Sequence, residues 1–200
     1  APDVAYRSIN PDESLQFSFV AAVPGVYMYH CGTPPVLMHI ANGMYGAIIV
    51  DPAQGMPPAD VSYVLVEGEW YTQQVQDKLM GADFTKMQAA MPDEVVFNGV
   101  AFQYKDHPLT AKVGQRVRLY VVDAGPNLYT AFHVIGGIFS AIYPDGNPAH
   151  ALNGVQTYQV APGQGVVFDI SFPQPGKYIF VDHSMRSAGL GAQGIIDVTE

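Results

Sequence analysis

Three residues within one short stretch of the chain could bind a soft metal together. Cys31 is followed by seven residues and then His39, and four further residues separate His39 from Met44. A type 1 copper site combines two histidines and a cysteine with a distant axial methionine, so this loop offers three of its four ligands. Alternatively, Cys31 and Met44 pack in a core and His39 is an ordinary polar residue. The occurrence of all three directly before a β-strand favours the metal.

His30 directly precedes Cys31 in the segment GVYMYHC. Neighbouring residues of a strand point to opposite faces. If Cys31 points into a sandwich toward its metal, His30 points outward and can hold a second metal. The peptide between the two residues would then be a short covalent path for electrons. An ordinary surface histidine remains the alternative.

Two further histidines are candidates for chemistry. His133 lies in NLYTAFHVIGGIF and His183 lies in YIFVDHSM. An aspartate rather than a cysteine precedes His183, so no type 1 site is expected there. Within the internal repeat described below, His183 is expected to correspond to His30 and to be a second outward ligand. His107 and His150 lie in turn-like contexts, and we interpret both as solvated.

An internal repeat organises the chain around these residues. VPGVYMYH near the start and QPGKYIFVDH near the end each lead into a glycine-flanked apolar strand, GAIIVDP or GIIDVTE. An alternating apolar pattern, typical of half-buried strands, precedes each copy. The alternating positions are Leu15, Phe17 and Phe19 in the first copy and Val166, Phe168 and Ile170 in the second. The repeat predicts an all-β fold with two tandem Greek-key β-sandwich domains.

The repeat also predicts the domain boundaries. We expect a first domain over residues 1–66, a linker over 67–92 and a second domain over 93–200. The second domain is much longer than the first, so we expect the first to be incomplete on its N-terminal side.

One short helix is expected in the linker. Asp83 is a suitable N-cap for a helix from Phe84 to about Ala90, and Pro92 would end it.

Composition excludes several classes of protein. The chain has 200 residues, nine basic and 18 acidic side chains and a net charge of −9, so nucleic acid is not an expected partner. No apolar run is long enough to span a membrane. The single cysteine excludes an internal disulfide. A small basic redox protein would be a better electrostatic match for this acidic chain.

The segments that hold these candidates resemble the copper-containing nitrite reductases. They are YHCGTPPVLMHIANGMYGAIIVDP, VVFNG, GPNLYTAFHVIGGIF and VDHSMRSA, and the similarity runs from about Pro11 to the end. The closest resemblance is to the branch with the shorter cysteine-to-histidine loop. It implies two cupredoxin domains per subunit, a homotrimer, type 1 and type 2 copper, and an exported protein in the periplasm or on the outer membrane.

The resemblance also implies roles for individual residues. The implied copper ligands are Cys31, His39 and Met44 for type 1 copper, and His30 and His183 for type 2 copper. The type 2 histidine near the C-terminus, His183, would be supplied to the neighbouring subunit. His133 matches the catalytic histidine, and Ile135 matches the apolar residue over the substrate pocket. The family's remaining ligands and its catalytic aspartate lie in an N-terminal strand that this sequence does not match.

The implied reaction is the one-electron reduction of nitrite to nitric oxide, with a cytochrome c or a cupredoxin as donor. Two alternatives remain. A laccase-like two-domain multicopper oxidase needs many histidines, largely as His-x-His pairs, and the six histidines here form no such pair. A non-catalytic blue-copper electron carrier needs only the Cys31 site, which leaves His133 and His183 without a role.

Overall fold

The computed structural model describes residues 7–200. Residues 1–6, which the expected first domain includes, lie outside the described residues. Between residues 7 and 200, no helix is both long and apolar enough to cross a membrane.

Short strands make up most of the regular structure. The strands are β1 Gly25–His30, β2 Tyr45–Val50, β3 Val61–Trp70, β4 Thr72–Gln76, β5 Leu79–Ala82, β6 Glu94–Phe97, β7 Leu109–Lys112, β8 Arg116–Asp123, β9 Thr130–Val134, β10 Ala141–Pro144, β11 Thr157–Val160, β12 Gly165–Ser171, β13 Gly176–Asp182 and β14 Gln193–Thr199. The helices are α1 Val36–Ala41, α2 Phe84–Gln88, α3 Gln103–Asp106 and α4 Met185–Gly189, with a 3₁₀ turn at Pro148–His150.

Two five-stranded sheets form the main sandwich. Their strand orders are β10-β12-β8-β3-β6 and β11-β9-β13-β14-β7, and two-stranded sheets β1-β2 and β4-β5 lie outside them. Pairing within the sandwich is antiparallel except between β3 and β8 and between β14 and β7. The predicted all-β sandwich is therefore confirmed.

Aromatic side chains from both sheets fill the core of this sandwich. The Phe168 ring centroid lies 4.9 Å from that of Phe132 and 4.7 Å from that of Phe139. Val166 and Ile170 are also buried there, as the alternating pattern of β12 predicts. Full burial of one such side chain stabilises the fold by about 1.5–3 kcal/mol.

The β1-β2 hairpin packs on the outer face of the first five-stranded sheet. Val26 of β1 forms a buried cluster with Val122, Tyr143 and Val167. A Cβ atom at Gly165 would lie 2.4 Å from the Val26 carbonyl oxygen, so only glycine permits this close approach. The central strands β8 and β12 are thus covered on both faces, which explains their nearly continuous apolar runs.

The strand predicted around Leu15–Phe19 is wrong. Residues 7–24 contain no strand, and Phe17 and Phe19 are exposed. Alternation alone does not form a strand, because the backbone N–H and C=O groups need a neighbouring strand to bond with. In the second copy, β12 has β8 and β10 as neighbours.

The helix predicted in the linker is confirmed. The Asp83 carboxylate accepts a hydrogen bond of 3.0 Å from the Lys86 backbone N–H, and α2 follows it. The boundary expected after Val66, however, falls within β3. This strand is hydrogen-bonded to β6 and β8 throughout its length, so it belongs to the main sandwich. We therefore propose a domain division before Val61.

Candidate metal centres

The segment between β1 and β2 forms a compact loop that carries the three candidate ligands. Cys31 directly follows β1, His39 lies in α1, and Met44 directly precedes β2. The Cys31 N–H donates to the Met44 carbonyl oxygen at 2.9 Å, and the Met44 N–H donates to the His39 carbonyl oxygen at 3.2 Å. The backbone thus ties all three residues to one another.

Cys31 and His39 also meet through their side chains. The Cys31 sulfur lies 3.4 Å from His39 Nδ1. A thiolate and an imidazole bound to one metal at about 2.3 and 2.0 Å, at a tetrahedral angle, would be about 3.5 Å apart. A thiol–imidazole hydrogen bond gives a similar separation. The backbone N–H of Thr33, followed by its hydroxyl, lowers the pKa of the Cys31 thiol, which favours the thiolate that a metal needs.

Beyond Cys31 and His39, the described chain brings no further histidine, cysteine or carboxylate ligand into a close group with them. Met44 is joined to the loop by its backbone, and its side chain is 52 % exposed. Within residues 7–200, no three His, Cys, Asp or Glu side chains are grouped as metal ligands. The described chain thus provides one close pair of donors, with a thioether nearby in sequence.

His30 is exposed at the end of β1. Its Nδ1–H donates to the Cys31 carbonyl oxygen at 2.8 Å, which fixes the tautomer and leaves Nε2 free. Metal-binding histidines commonly donate their second ring N–H to a carbonyl group in this way. This geometry suits an outward-facing metal ligand. The role of His30 as a copper ligand stays a prediction.

His133 and His183 lie together on the outer face of the second five-stranded sheet. Their ring centroids are 5.3 Å apart, with an angle of 72° between the planes. The His133 Nδ1–H donates to the Gln156 carbonyl oxygen at 2.7 Å, and the Thr157 hydroxyl lies 3.1 Å from the same nitrogen. Ile135, two residues beyond His133, is 48 % exposed. His30 is not grouped with this pair in the described chain.

Comparison with known proteins identifies the family. Residues 61–195 and 7–54 each match a multicopper oxidase family model. A copper nitrite reductase from Nitrosomonas europaea superposes with a TM-score of 0.91 at 41 % identity, covering 100 % of this chain and 72 % of that one. This chain belongs to the copper-containing nitrite reductases. The expected cupredoxin-like fold class is thereby confirmed.

Curated relatives in the same family are longer. The copper-containing nitrite reductase of Neisseria meningitidis is 43 % identical over 192 residues, which are 94 % of this chain and 49 % of the relative. That of Alcaligenes faecalis is 33 % identical over 213 residues, covering 96 % and 56 %. The chain thus spans about half the length of the curated relatives it matches. The two family-model segments meet between residues 54 and 61, which agrees with a domain division before Val61.

The structure corrects the alignment of the two copies within this chain. Tyr27 donates to the Val23 carbonyl oxygen and Tyr178 to the Gln174 carbonyl oxygen, both at 3.0 Å. This shared i−4 bond makes the two tyrosines equivalent. Counting from them, His183 corresponds to Gly32, not to His30 as expected from the sequence. Asp182 is the counterpart of Cys31.

A buried polar cluster that was not predicted from the sequence lies on the inner side of β9 and β13. It contains four carboxyl groups and one hydroxyl group, from Glu67, Glu69, Asp123, Asp182 and Thr130, and all five residues are buried. Burial raises the pKa of Glu67 well above its usual range and that of Asp123 to about 8. The only sequence signal is the pair of glutamates in VLVEGEW, at alternate positions of an apolar strand.

Proposed function

We propose that the full-length protein is an enzyme that reduces nitrite to nitric oxide and water with one electron and two protons. Family membership and the arrangement of the candidate histidines support this proposal. The electron would come from a small redox protein, a cytochrome c or a cupredoxin, and a basic partner suits the net charge of −9.

Cys31, His39 and Met44 would hold type 1 copper. The Cys31–His39 separation and the lowered pKa of the Cys31 thiol fit this ligand set. Copper in the two sites would supply one-electron redox chemistry and a Lewis acid for the nitrite oxygens. The peptide that joins Cys31 to His30 gives the two sites a direct covalent connection.

His30 and the partner subunit's His183 would hold type 2 copper together. Within one chain, His30 ends β1 and His183 directly follows β13 of another sheet. A shared site would then need the second domain of one subunit to cover the first domain of the next. Such a head-to-tail contact must close into a ring, and a homotrimer is the ring that we propose.

His133 would hold and deliver a proton. Its Nδ1–H is bound to the Gln156 carbonyl oxygen, so Nε2 is the nitrogen that can face the substrate. Imidazole groups exchange protons readily near neutral pH. Ile135 presents an exposed apolar side chain on the same side and would limit the orientations of bound nitrite.

The pairing of His133 and His183 on an exposed face is the observation that supports catalysis most directly. An electron carrier has no use for a second histidine site outside the Cys31 loop. We further propose that the protein is exported, to the periplasm or the outer membrane.

The test uses the full-length, copper-loaded protein. We expect Cys31→Ala to abolish the visible charge-transfer band between thiolate and copper. His183→Ala should keep this band but lose type 2 copper and nitrite turnover, because it removes a ligand of the second site only. Absorption and electron paramagnetic resonance spectra, together with nitric oxide production from nitrite, measure both results.

The matched control is His107→Ala, because His107 is an exposed histidine outside both candidate sites. It should keep both copper signals and full turnover. Full nitrite activity in His183→Ala, or an active monomer in sedimentation experiments, would refute the shared site. Oxidation of phenols without nitrite reduction would favour the laccase-like alternative.

A further inference from the structure

Three buried polar atoms of the described chain have no hydrogen-bond partner. They are Glu67 Oε2, Thr130 Oγ1 and Asp182 Oδ2. The exposed fractions of these residues are 3 %, 0 % and 0 %. Buried polar groups nearly always have a partner, and each one left unpaired destabilises the fold. Three such atoms in one region therefore indicate a ligand.

The three side chains belong to one cluster. Asp182 Oδ1 accepts a bond of 2.8 Å from the Ala131 N–H, directly beside Thr130. The Thr130 N–H donates to Asp123 Oδ2 at 3.1 Å, and Asp123 pairs across β8 and β3 with Glu67. The Thr130 hydroxyl lies near Glu67 and Asp123 without a well-formed bond to either. Thr130 thus lies beside the other two residues that have an unpaired oxygen atom.

One residue of this cluster, Asp182, occupies the place in the second copy that Cys31 occupies in the metal loop of the first. Tyr27 pairs with Ile48 in one hairpin, and Tyr178 pairs with Ile196 in the other, which fixes the alignment on both sides of the loop. The counterparts of Cys31, His39 and Met44 are Asp182, Ser187 and Ala192. All three counterparts are buried, and none is a soft donor.

We propose that the second copy holds one buried water molecule between Glu67, Thr130 and Asp182, in place of a metal. A water molecule can donate one hydrogen bond to each carboxyl oxygen and accept one from the Thr130 hydroxyl. This matches the three hydrogen bonds, on average, of buried waters in proteins. The burial that raises the pKa of Glu67 is compatible with the site, because water can also accept a bond from a protonated carboxyl group.

Other features of the cluster disfavour a cation. Asp182 Oδ1 is already bonded to the N–H groups of Ala131 and Ser184, and both oxygens of Asp123 accept backbone bonds. In residues 7–200, no three acidic, histidine or cysteine side chains are arranged as metal ligands. The three oxygen atoms that remain unpaired therefore suit one small neutral molecule that donates hydrogen bonds.

The water would connect β3 to β9, which carries His133, and to β13, which His183 directly follows. Glu67 belongs to β3, Thr130 to β9, and Asp182 ends β13. The exposed histidine pair would therefore rest on a hydrated polar layer instead of a metal site.

The test is a crystal structure of the full-length protein that resolves ordered water. We expect one density peak within about 2.6–3.2 Å of the three oxygen atoms in the wild type. Thr130→Val keeps the side-chain shape but removes the hydroxyl, and the peak should be lost. Thr199→Val makes the same change at an exposed strand position and should keep the peak.

Three results would overturn the proposal, and none depends on nitrite turnover. The first is a dry cluster in which Glu67, Thr130 and Asp182 bond directly to one another. The second is a bound cation, shown by an anomalous signal at the peak after exchange into rubidium chloride. The third is a peak that persists unchanged in Thr130→Val, because the hydroxyl then does not hold the water.

Discussion

Replacing Asp169 by asparagine should destabilise the main sandwich severely. Asp169 of β12 lies opposite Arg118 of β8, and the two side chains are only 2 % and 5 % exposed. Arg118 Nε and Nη2 each donate to one carboxylate oxygen at 2.8 Å, and Nη2 also donates to the Pro57 carbonyl oxygen at 2.7 Å. The substitution leaves the guanidinium charge buried without its counter-charge.

The expected loss is about 3–5 kcal/mol of the free energy of unfolding, the usual cost of removing one partner from a buried ion pair. The loss comes mainly from the stranded charge, so Arg118→Met combined with Asp169→Leu should recover most of it. Urea titration of the full-length protein, followed by far-ultraviolet circular dichroism, measures both effects.

An exposed ion pair provides the matched control. Lys86 Nζ lies 2.7 Å from Asp93 Oδ1, but both side chains are more than one-third exposed. Water screens such a pair, so Lys86→Met should cost less than about 1 kcal/mol. If Asp169→Asn costs no more than Lys86→Met, the reasoning from burial is wrong. The same holds if the double variant is less stable than Asp169→Asn alone.

Two further predictions concern pH and helix capping. Burial raises the folded-state pKa of Glu67, so the folded protein retains a proton that the unfolded chain releases above about pH 4.5. Retention of this proton should lower stability by about 1.4 kcal/mol per pH unit as the pH rises from that value toward the folded-state pKa. Asp123, whose pKa is also raised by burial, adds a slope of its own, so Glu67→Gln should remove only the Glu67 part of the total slope in unfolding titrations at several pH values. An unchanged slope would contradict this assignment. Asp83→Ala should cost about 1 kcal/mol in urea unfolding because α2 loses its N-cap, whereas Asp83→Ser should cost much less. Equal losses in the two variants would exclude the cap as the cause.

Local sequence patterns determined the secondary structure and the candidate chemistry. The alternation at Val166, Phe168 and Ile170 predicted an inward-facing strand, because side chains of a strand change face at every residue. Asp83 predicted the start of α2 for a similarly local reason, since its carboxylate bonds to the backbone three residues ahead. The spacing of Cys31 and His39 predicted two donors on one loop. Each inference depends on residues close together in the chain.

Pairing between distant segments was decided only by the tertiary structure. The pattern around Phe17 alternates like that of β12 but finds no neighbouring strand in the described chain. β3 joins the main sandwich because it bonds to β6 and β8, which follow it in sequence.

The buried carboxyl cluster likewise could not be predicted from local sequence patterns. In sequence, Glu67 and Asp182 are 115 residues apart, and each resembles an ordinary surface residue. Folding removes both from water, and this desolvation raises the pKa of Glu67 and leaves one buried oxygen atom of each residue in need of a partner. The sequence by itself determined which donors and strands are present. Only the tertiary structure decided which of them lie together away from solvent, because desolvation depends on contacts between residues that are distant in the chain.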